Sequence, residues 1–108
     1  MERYTIHTDP GHGWLQVSLP ELQDLGLLDK ITGCSYIDGA YAYLEEDHDL
    51  SIFARAKGWK PDGSAPISEI YRENTPIRQM RHYSKELALQ LLEELRTTGR
   101  VFCTISFS

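Results

Sequence analysis

Residues 34–44 constrain the fold most, because a strong turn signal lies between two stretches whose side chains alternate. Asp38 and Gly39 are the pair most typical of a two-residue type I′ hairpin turn. With these residues at the tip, Tyr36 faces Tyr41, and side chains two apart share a face of the sheet. This register places on one face Cys34, Tyr36, Tyr41 and Tyr43. The other face is small and aliphatic, so the sequence predicts an antiparallel hairpin.

Turn, cap and alternation signals divide the rest of the chain into strands and helices. A first hairpin is predicted around residues 9–13, a further strand over residues 67–72, and a short helical turn at Thr75 and Pro76. Three helices are indicated by an N-cap residue and a closing glycine: Ser18 with Gly26, Asp47 or Asp49 with Gly58, and Ser84 with Gly99. Residues 101–108 alternate like a half-buried strand. The predicted fold class is α+β: a small antiparallel sheet, built from two β-hairpins and a C-terminal strand, packed against two or three helices.

The length of the chain indicates one domain and one core. Its 108 residues, 41% of them hydrophobic, suit a single domain over residues 1–108. Cys34 and Cys103 are too few for a secreted disulfide framework, and both occupy alternating positions typical of buried, unreactive thiols. No signal-peptide pattern opens the sequence, and no apolar run approaches the roughly 20 residues that span a bilayer. We therefore expect a cytoplasmic protein with no membrane contact.

The net charge disfavours nucleic acid as a direct partner. The chain has a formal charge of −5 at pH 7, whereas domains that neutralise phosphates are usually basic. Four carboxylates are concentrated in one short segment: Glu45, Glu46, Asp47 and Asp49. Such a run is either a solvated surface beside a helix start or a surface that meets a basic partner.

Asp9, His12 and Trp14 belong to the most distinctive local sequence, Asp-Pro-Gly-His-Gly-Trp. Histidine can transfer protons near neutral pH, and the flanking glycines would let a ligand approach the backbone closely. The same residues also suit a short hairpin loop in which Trp14 packs on the core. The sequence thus offers Asp9 and His12 as an acid/base candidate, although its composition favours a plain turn.

No metal or cofactor is predicted. The four histidines, His7, His12, His48 and His82, lack His-x-x-x-His spacing, and no Cys-x-x-Cys pair is present. A Gly-rich phosphate loop, a Gly-x-Ser-x-Gly elbow and a dinucleotide fingerprint are also missing from the sequence.

The tyrosines of the second hairpin suit either a core or an interface. Tyr36, Tyr41 and Tyr43 would bury a large area under a covering element, and would form an adhesive patch without one. Because a small sheet must bury one face, the core interpretation is favoured.

Three blocks of sequence carry a resemblance to other proteins: Asp-Pro-Gly-His-Gly-Trp-Leu at residues 9–15, Tyr-Ile-Asp at 36–38 and Ala-Tyr-Leu-Glu-Glu-Asp at 42–47. The chain resembles, over residues 4–83, a family of small uncharacterised proteins encoded by phages, plasmids and related bacterial mobile elements. The family has no known activity, so the resemblance implies only an origin. Many accessory proteins of mobile elements are small and acidic and act by occupying the surface of a host protein.

We expect a non-catalytic binding protein, in particular an acidic inhibitor of a host defence protein whose basic groove binds nucleic acid. The residues assigned to binding are Glu45, Glu46, Asp47, Asp49, Tyr36, Tyr41 and Tyr43. The alternative is a small enzyme with an acid/base site at Asp9 and His12, to which folding would bring His48 or His82. Binding is favoured because no complete catalytic set can be named.

Overall fold

The computed structural model describes residues 3–99 of the chain. This part contains six strands: β1 (Tyr4–Thr8), β2 (Gly13–Ser18), β3 (Tyr36–Asp38), β4 (Tyr41–Glu45), β5 (Ile67–Tyr71) and β6 (Arg81–His82). It also contains three α-helices: α1 (Leu19–Asp24), α2 (Asp49–Lys57) and α3 (Lys85–Thr98). A 3-10 helix spans Pro76–Gln79, where the short helical turn was predicted. These elements confirm the α+β class.

The six strands form one mixed sheet in the order β5-β1-β2-β4-β3-β6. β1 and β2 form the predicted first hairpin, and β3 and β4 form the second. β5 joins the outer edge of β1 in parallel, with Ile67 beside Tyr4. The prediction of a purely antiparallel sheet is wrong for this pairing, because a long crossover returns the chain to the start of β1 before β5 begins. The predicted strand over residues 101–108 lies outside the described residues.

The sheet has a face covered by the α-helices, called here the helical face, and an opposite face, called the aromatic face. Neighbouring residues of β2 alternate between them: Leu15 joins the cluster on the helical face and Trp14 the cluster on the aromatic face. Buried residues of the helical-face cluster include Leu15, Val17, Leu22, Ile37, Ala42, Leu44, Phe53, Ala88 and Leu91. The smaller aromatic-face cluster consists of Trp14, Tyr43, Ile77 and Met80, with Tyr36 at its border. The 3-10 helix covers this second cluster, since Ile77 is fully buried there.

Side-chain caps begin two of the helices, as predicted. The Ser18 hydroxyl accepts a hydrogen bond from the Glu21 amide at 3.3 Å, and the Ser84 hydroxyl accepts one from the Leu87 amide at 3.1 Å. Glycines with positive φ follow the helix ends, also as predicted: Gly26 (71°), Gly58 (73°) and Gly99 (75°). Local sequence signals therefore set the length of these helices.

The turn of the second hairpin lies one residue later than predicted. Asp38 pairs with Tyr41, so the two turn residues are Gly39 and Ala40. Gly39 has a φ of 61°, and none of the described non-glycine residues has a positive φ, which is the pattern of a type II′ turn. Moving the tip by one residue moves each partner by two, so Tyr36 faces Tyr43 rather than Tyr41. A shift of two keeps every side chain on its predicted face.

Two predictions about polar residues are wrong. Cys34 is exposed rather than buried, because β3 begins only at Tyr36 and Cys34 lies in the loop before it. Neither Asp47 nor Asp49 caps α2: His48 occupies the N-cap position, and its side chain forms no capping hydrogen bond. Cys103 lies outside the described residues.

Candidate functional site

The acidic turn, residues 45–47, connects β4 to α2. Glu45 is half-buried, and its carboxylate accepts hydrogen bonds from the amides of Asp47 (3.0 Å) and His48 (3.2 Å). The amide of Glu46 donates to the carbonyl of Gly13 at 3.0 Å, which joins the turn to the neighbouring strand. The side chains of Glu46 and Asp47 are exposed. The turn therefore has a defined shape and presents two carboxylates to solvent.

Asp49 is not part of this exposed surface, contrary to the prediction. Its side chain is fully buried, and its Oδ2 accepts hydrogen bonds from the Thr32 amide (3.0 Å), the Thr32 hydroxyl (2.8 Å) and the Ser35 hydroxyl (2.5 Å). Its Oδ1 lies 2.9 Å from Nδ1 of His48. Burial alone would raise the pKa of Asp49, but the hydrogen bonds from Ser35, His48 and Thr32 outweigh it and leave the pKa below its usual value. Asp49 thus anchors the loop before β3 to the start of α2.

Further acidic side chains lie at the same end of the sheet. A Cβ atom at Gly13 would be 2.9 Å from Oε2 of Glu46, so this carboxylate lies directly over the start of β2. Glu69 on β5 accepts a hydrogen bond from the hydroxyl of Thr8 at 2.7 Å, and Thr8 pairs with Gly13. Within residues 3–99, the acidic turn forms no ion pair with lysine or arginine. Its negative charge is consequently not neutralised by direct pairing with any of these residues.

The three tyrosines divide between core and surface. Tyr43 is buried at 3% exposure and Tyr36 is half-buried, and both pack with Trp14 on the aromatic face. Tyr41 is 40% exposed. It begins β4, whereas Glu45 ends that strand, so the two lie about 13 Å apart at the usual rise of a strand. Tyr41 is therefore separate from the acidic turn, and Tyr36 and Tyr43 mainly stabilise the fold.

Asp9 lies in the loop between β1 and β2, where it binds a residue that the sequence did not indicate, Arg78. Oδ1 of Asp9 accepts hydrogen bonds from the amides of Gly11 (2.9 Å) and His12 (2.8 Å). Arg78 donates Nε to Oδ2 at 2.6 Å and Nη2 to Oδ1 at 3.2 Å. The hydrogen bonds from Arg78, with those from the two amides, outweigh burial and hold the pKa of Asp9 well below its usual range. Asp9 is therefore a carboxylate that shapes the turn, and it does not accept a proton at neutral pH.

The ring of His12 contacts Arg78 rather than Asp9. Nη2 of Arg78 lies 2.9 Å from Nδ1 of His12. Because a guanidinium group can only donate, Nδ1 is the acceptor and the neutral ring carries its proton on Nε2. The imidazole stacks on Trp14, whose ring also lies under the guanidinium group at 5.1 Å. Both ring nitrogens of His12 are thus unsuited to general-base chemistry, and the geometry favours the turn interpretation.

The other three histidines have partners of their own. His7 is buried, with Nε2 2.8 Å from Oε1 of Gln16, and burial lowers the pKa of His7. His48 contacts Asp49, and His82 contacts the carbonyl of Gly33 through Nδ1 at 2.8 Å. In the described part of the chain, no group of three His, Cys, Asp or Glu side chains is arranged to hold a metal ion.

Arg78 and Ser35, together with Thr32, are the site residues that sequence reasoning missed. Arg78 is 69 residues from Asp9, and Ser35 is 14 residues from Asp49. Neither residue has a neighbouring pattern that points to its carboxylate partner. Only the covering of the aromatic face by the 3-10 helix, and the packing of α2 against β4, bring these groups together.

Comparison with known protein families, curated proteins and solved structures finds no match to the chain. No α-helix among residues 3–99 combines the length and apolar character required to cross a bilayer. Any assignment of function therefore depends on the geometry of the acidic turn, the Asp9 loop and the histidines.

Proposed function

We propose that the chain is a non-catalytic binding protein whose acidic turn contacts a basic surface of a partner protein. The observation that supports this most is the exposed pair of carboxylates, Glu46 and Asp47, on a turn fixed between β4 and α2 and without ion pairs in the described residues. The net charge of the whole chain, −5, is also negative, and it extends the attraction for a basic partner to a longer range.

The proposed partner is a host protein with a basic groove that binds nucleic acid. An acidic surface presents to such a groove the same sign of charge as a phosphate backbone, so the two would compete for it. The resemblance to proteins of mobile elements is the reason to search for this partner in a bacterial host.

The enzyme alternative at Asp9 and His12 receives less support from the geometry. Asp9 forms a two-point ion pair with Arg78, and His12 has its Nδ1 occupied by the same guanidinium group. General-base catalysis needs an imidazole nitrogen that is free to accept a proton.

The test is a capture experiment with the tagged chain, a variant of the acidic turn and a matched control. Glu46→Gln with Asp47→Asn removes two charges from the turn, and Asp24→Asn with Glu86→Gln removes two exposed charges elsewhere. Host proteins retained by each bait are quantified by mass spectrometry, and the recovered partner is then purified. We expect the turn variant to bind about tenfold more weakly, mainly through slower association, and the control to bind like the unmodified chain.

Two further measurements decide whether the turn or the His12 loop is responsible. His12→Ala should bind the partner normally, and the unmodified chain should displace a labelled oligonucleotide from it. Equal binding by the turn variant and the control would exclude the turn as the contact surface. If none of the baits recovers a stoichiometric protein, the binding function itself is contradicted.

A further inference from the structure

Three exposed histidines differ in the group that faces Nδ1. In His48 this group is the carboxylate of Asp49 at 2.9 Å, and in His82 it is the backbone carbonyl of Gly33 at 2.8 Å. In His12 it is the guanidinium group of Arg78 at 2.9 Å. The partner of Nδ1 determines which nitrogen carries the proton, and therefore the chemistry available at Nε2.

His48 has the arrangement that makes Nε2 most nucleophilic. Asp49 is fully buried and its pKa is lowered, so at neutral pH it is a carboxylate, which can only accept a hydrogen bond. The proton of the neutral ring must then lie on Nδ1, which leaves a lone pair on Nε2. The side chain of His48 is 63% exposed, so reagents can reach this lone pair.

We propose that His48, oriented by Asp49, is a nucleophilic site that accepts acyl groups at Nε2 from neutral, activated acyl donors such as anhydrides and reactive esters. The site is distinct from the Asp9 and His12 loop and does not depend on the proposed binding function.

The chemical step follows from the two contacts of the ring. The Nε2 lone pair attacks the carbonyl carbon of the donor, an N–C bond forms, and the C–O bond to the leaving group breaks with its electron pair on oxygen. Positive charge that develops on the ring is stabilised by the Asp49 carboxylate. The exposed ring then loses its Nδ1 proton through water to the released leaving group, which gives a neutral acylimidazole and the protonated leaving group.

The carboxylates near His48 favour neutral acyl donors over anionic ones. His48 directly follows the acidic turn, in which Glu46 and Asp47 are exposed. Anionic donors such as acyl phosphates are repelled by these carboxylates, whereas neutral donors are not.

The test uses diethyl pyrocarbonate, a neutral acylating reagent, with site-resolved mass spectrometry of the folded protein at pH 7. His12 and His82 serve as internal controls because both are exposed. We expect His48 to be modified roughly fivefold faster than His82, because a carboxylate is the stronger acceptor for the Nδ1 proton. His12 should be slowest, because its proton is on Nε2.

Asp49→Asn reverses the proton position at His48. Three donors from Thr32 and Ser35 surround Oδ2 of Asp49, so an asparagine oxygen takes that place and its NH₂ group faces His48. This amide donates to Nδ1 and moves the ring proton to Nε2. The modification rate of His48 should then fall to that of His12, while the rate of His82 stays unchanged.

Long-range proton–nitrogen correlation spectra provide a measurement that does not need the variant to fold. They should show neutral His48 with its proton on Nδ1. The proposal is overturned if the spectra place this proton on Nε2, or if His48 in the unmodified chain reacts no faster than His82. An unchanged rate at His48 in a folded Asp49→Asn variant would overturn it equally.

Discussion

Asp9 and Asp49 show how the partners of a carboxylate decide its role. Both are buried and both have a lowered pKa. Asp9 forms an ion pair with Arg78, whereas Asp49 accepts hydrogen bonds from hydroxyl, amide and imidazole groups. The guanidinium group of Arg78 is half-exposed and can be rehydrated when its partner is lost. The donors to Asp49 include the fully buried hydroxyl of Ser35, which has no access to water.

The Asp9–Arg78 pair makes part of the stability depend on pH. The pKa of Asp9 is lower in the folded chain than the ordinary value of 3.8 expected in the unfolded chain, so the stabilisation is fully present above that value and is lost as the pH falls towards the folded pKa. Asp9→Asn retains acceptors for the turn amides but removes the charge. We expect a loss of about 1–2 kcal/mol at pH 7, because a hydrogen bond to a charged partner is replaced by a neutral one.

Urea unfolding of the unmodified chain and of Asp9→Asn at pH 7 and pH 3 measures this effect. The difference in the free energy of unfolding should be smaller at pH 3 than at pH 7. Asp24→Asn, which removes an exposed carboxylate, controls for general effects of charge. A difference that is the same at both pH values would show that the ion pair does not stabilise the fold.

At the level of elements, the structure reproduces the local signals at Ser18 and Ser84, where a cap hydroxyl begins a helix. The helix predicted between Ser84 and Gly99 is α3, Lys85–Thr98, because the cap hydroxyl and the closing glycine act on the backbone next to them. The register of the second hairpin differs from the predicted one, because Ile37 lies opposite Ala42 and both side chains are fully buried. With this pairing the hairpin tip lies at Gly39 and Ala40.

Substitution in this turn tests whether position 39 requires the positive φ that the structure gives to Gly39. Gly39→Ala forces a side chain into a positive φ of 61° and should reduce the free energy of unfolding by about 1–2 kcal/mol. Ala40→Gly leaves the geometry possible and should cost less than about 1 kcal/mol, through the entropy of the unfolded chain. Denaturant unfolding of both variants gives the comparison. Equal losses would indicate that position 39 does not require a positive φ.

At the level of the whole molecule, the pairings that the sequence could not predict are those between distant segments. β5 pairs with β1 across more than 60 residues, and Arg78 reaches Asp9 from the 3-10 helix. Local periodicity identifies a strand but does not give its neighbour, since that choice depends on where the whole chain buries its apolar surface. Of the four carboxylates predicted to bind a partner, Glu46 and Asp47 are exposed, Glu45 is half-buried and Asp49 is fully buried. The burial of Asp49 depends on Thr32 and Ser35, and no local sequence pattern indicates that contact.

The two clusters on opposite faces of the sheet should unfold together, and each contains one tryptophan that can report on it. Trp14 lies in the aromatic-face cluster, whereas Trp59 packs against Tyr4 and Phe53 at the helical face. Trp14 and Leu15 are adjacent in β2 and face opposite sides, so displacement of this strand disrupts both clusters at once. A shared central strand of this kind favours a single cooperative transition.

Two single-tryptophan variants test this cooperativity. Trp59→Phe leaves Trp14 as the fluorescent probe, and Trp14→Phe leaves Trp59. In each variant we expect the urea midpoint from tryptophan fluorescence to coincide with the midpoint from far-ultraviolet circular dichroism. Comparing the two signals within one variant removes the effect of the substitution on stability. If the Trp14 signal changes at lower urea than the circular dichroism, the 3-10 helix over Pro76–Gln79 opens before the sheet unfolds, and the aromatic face is a separate unit of lower stability.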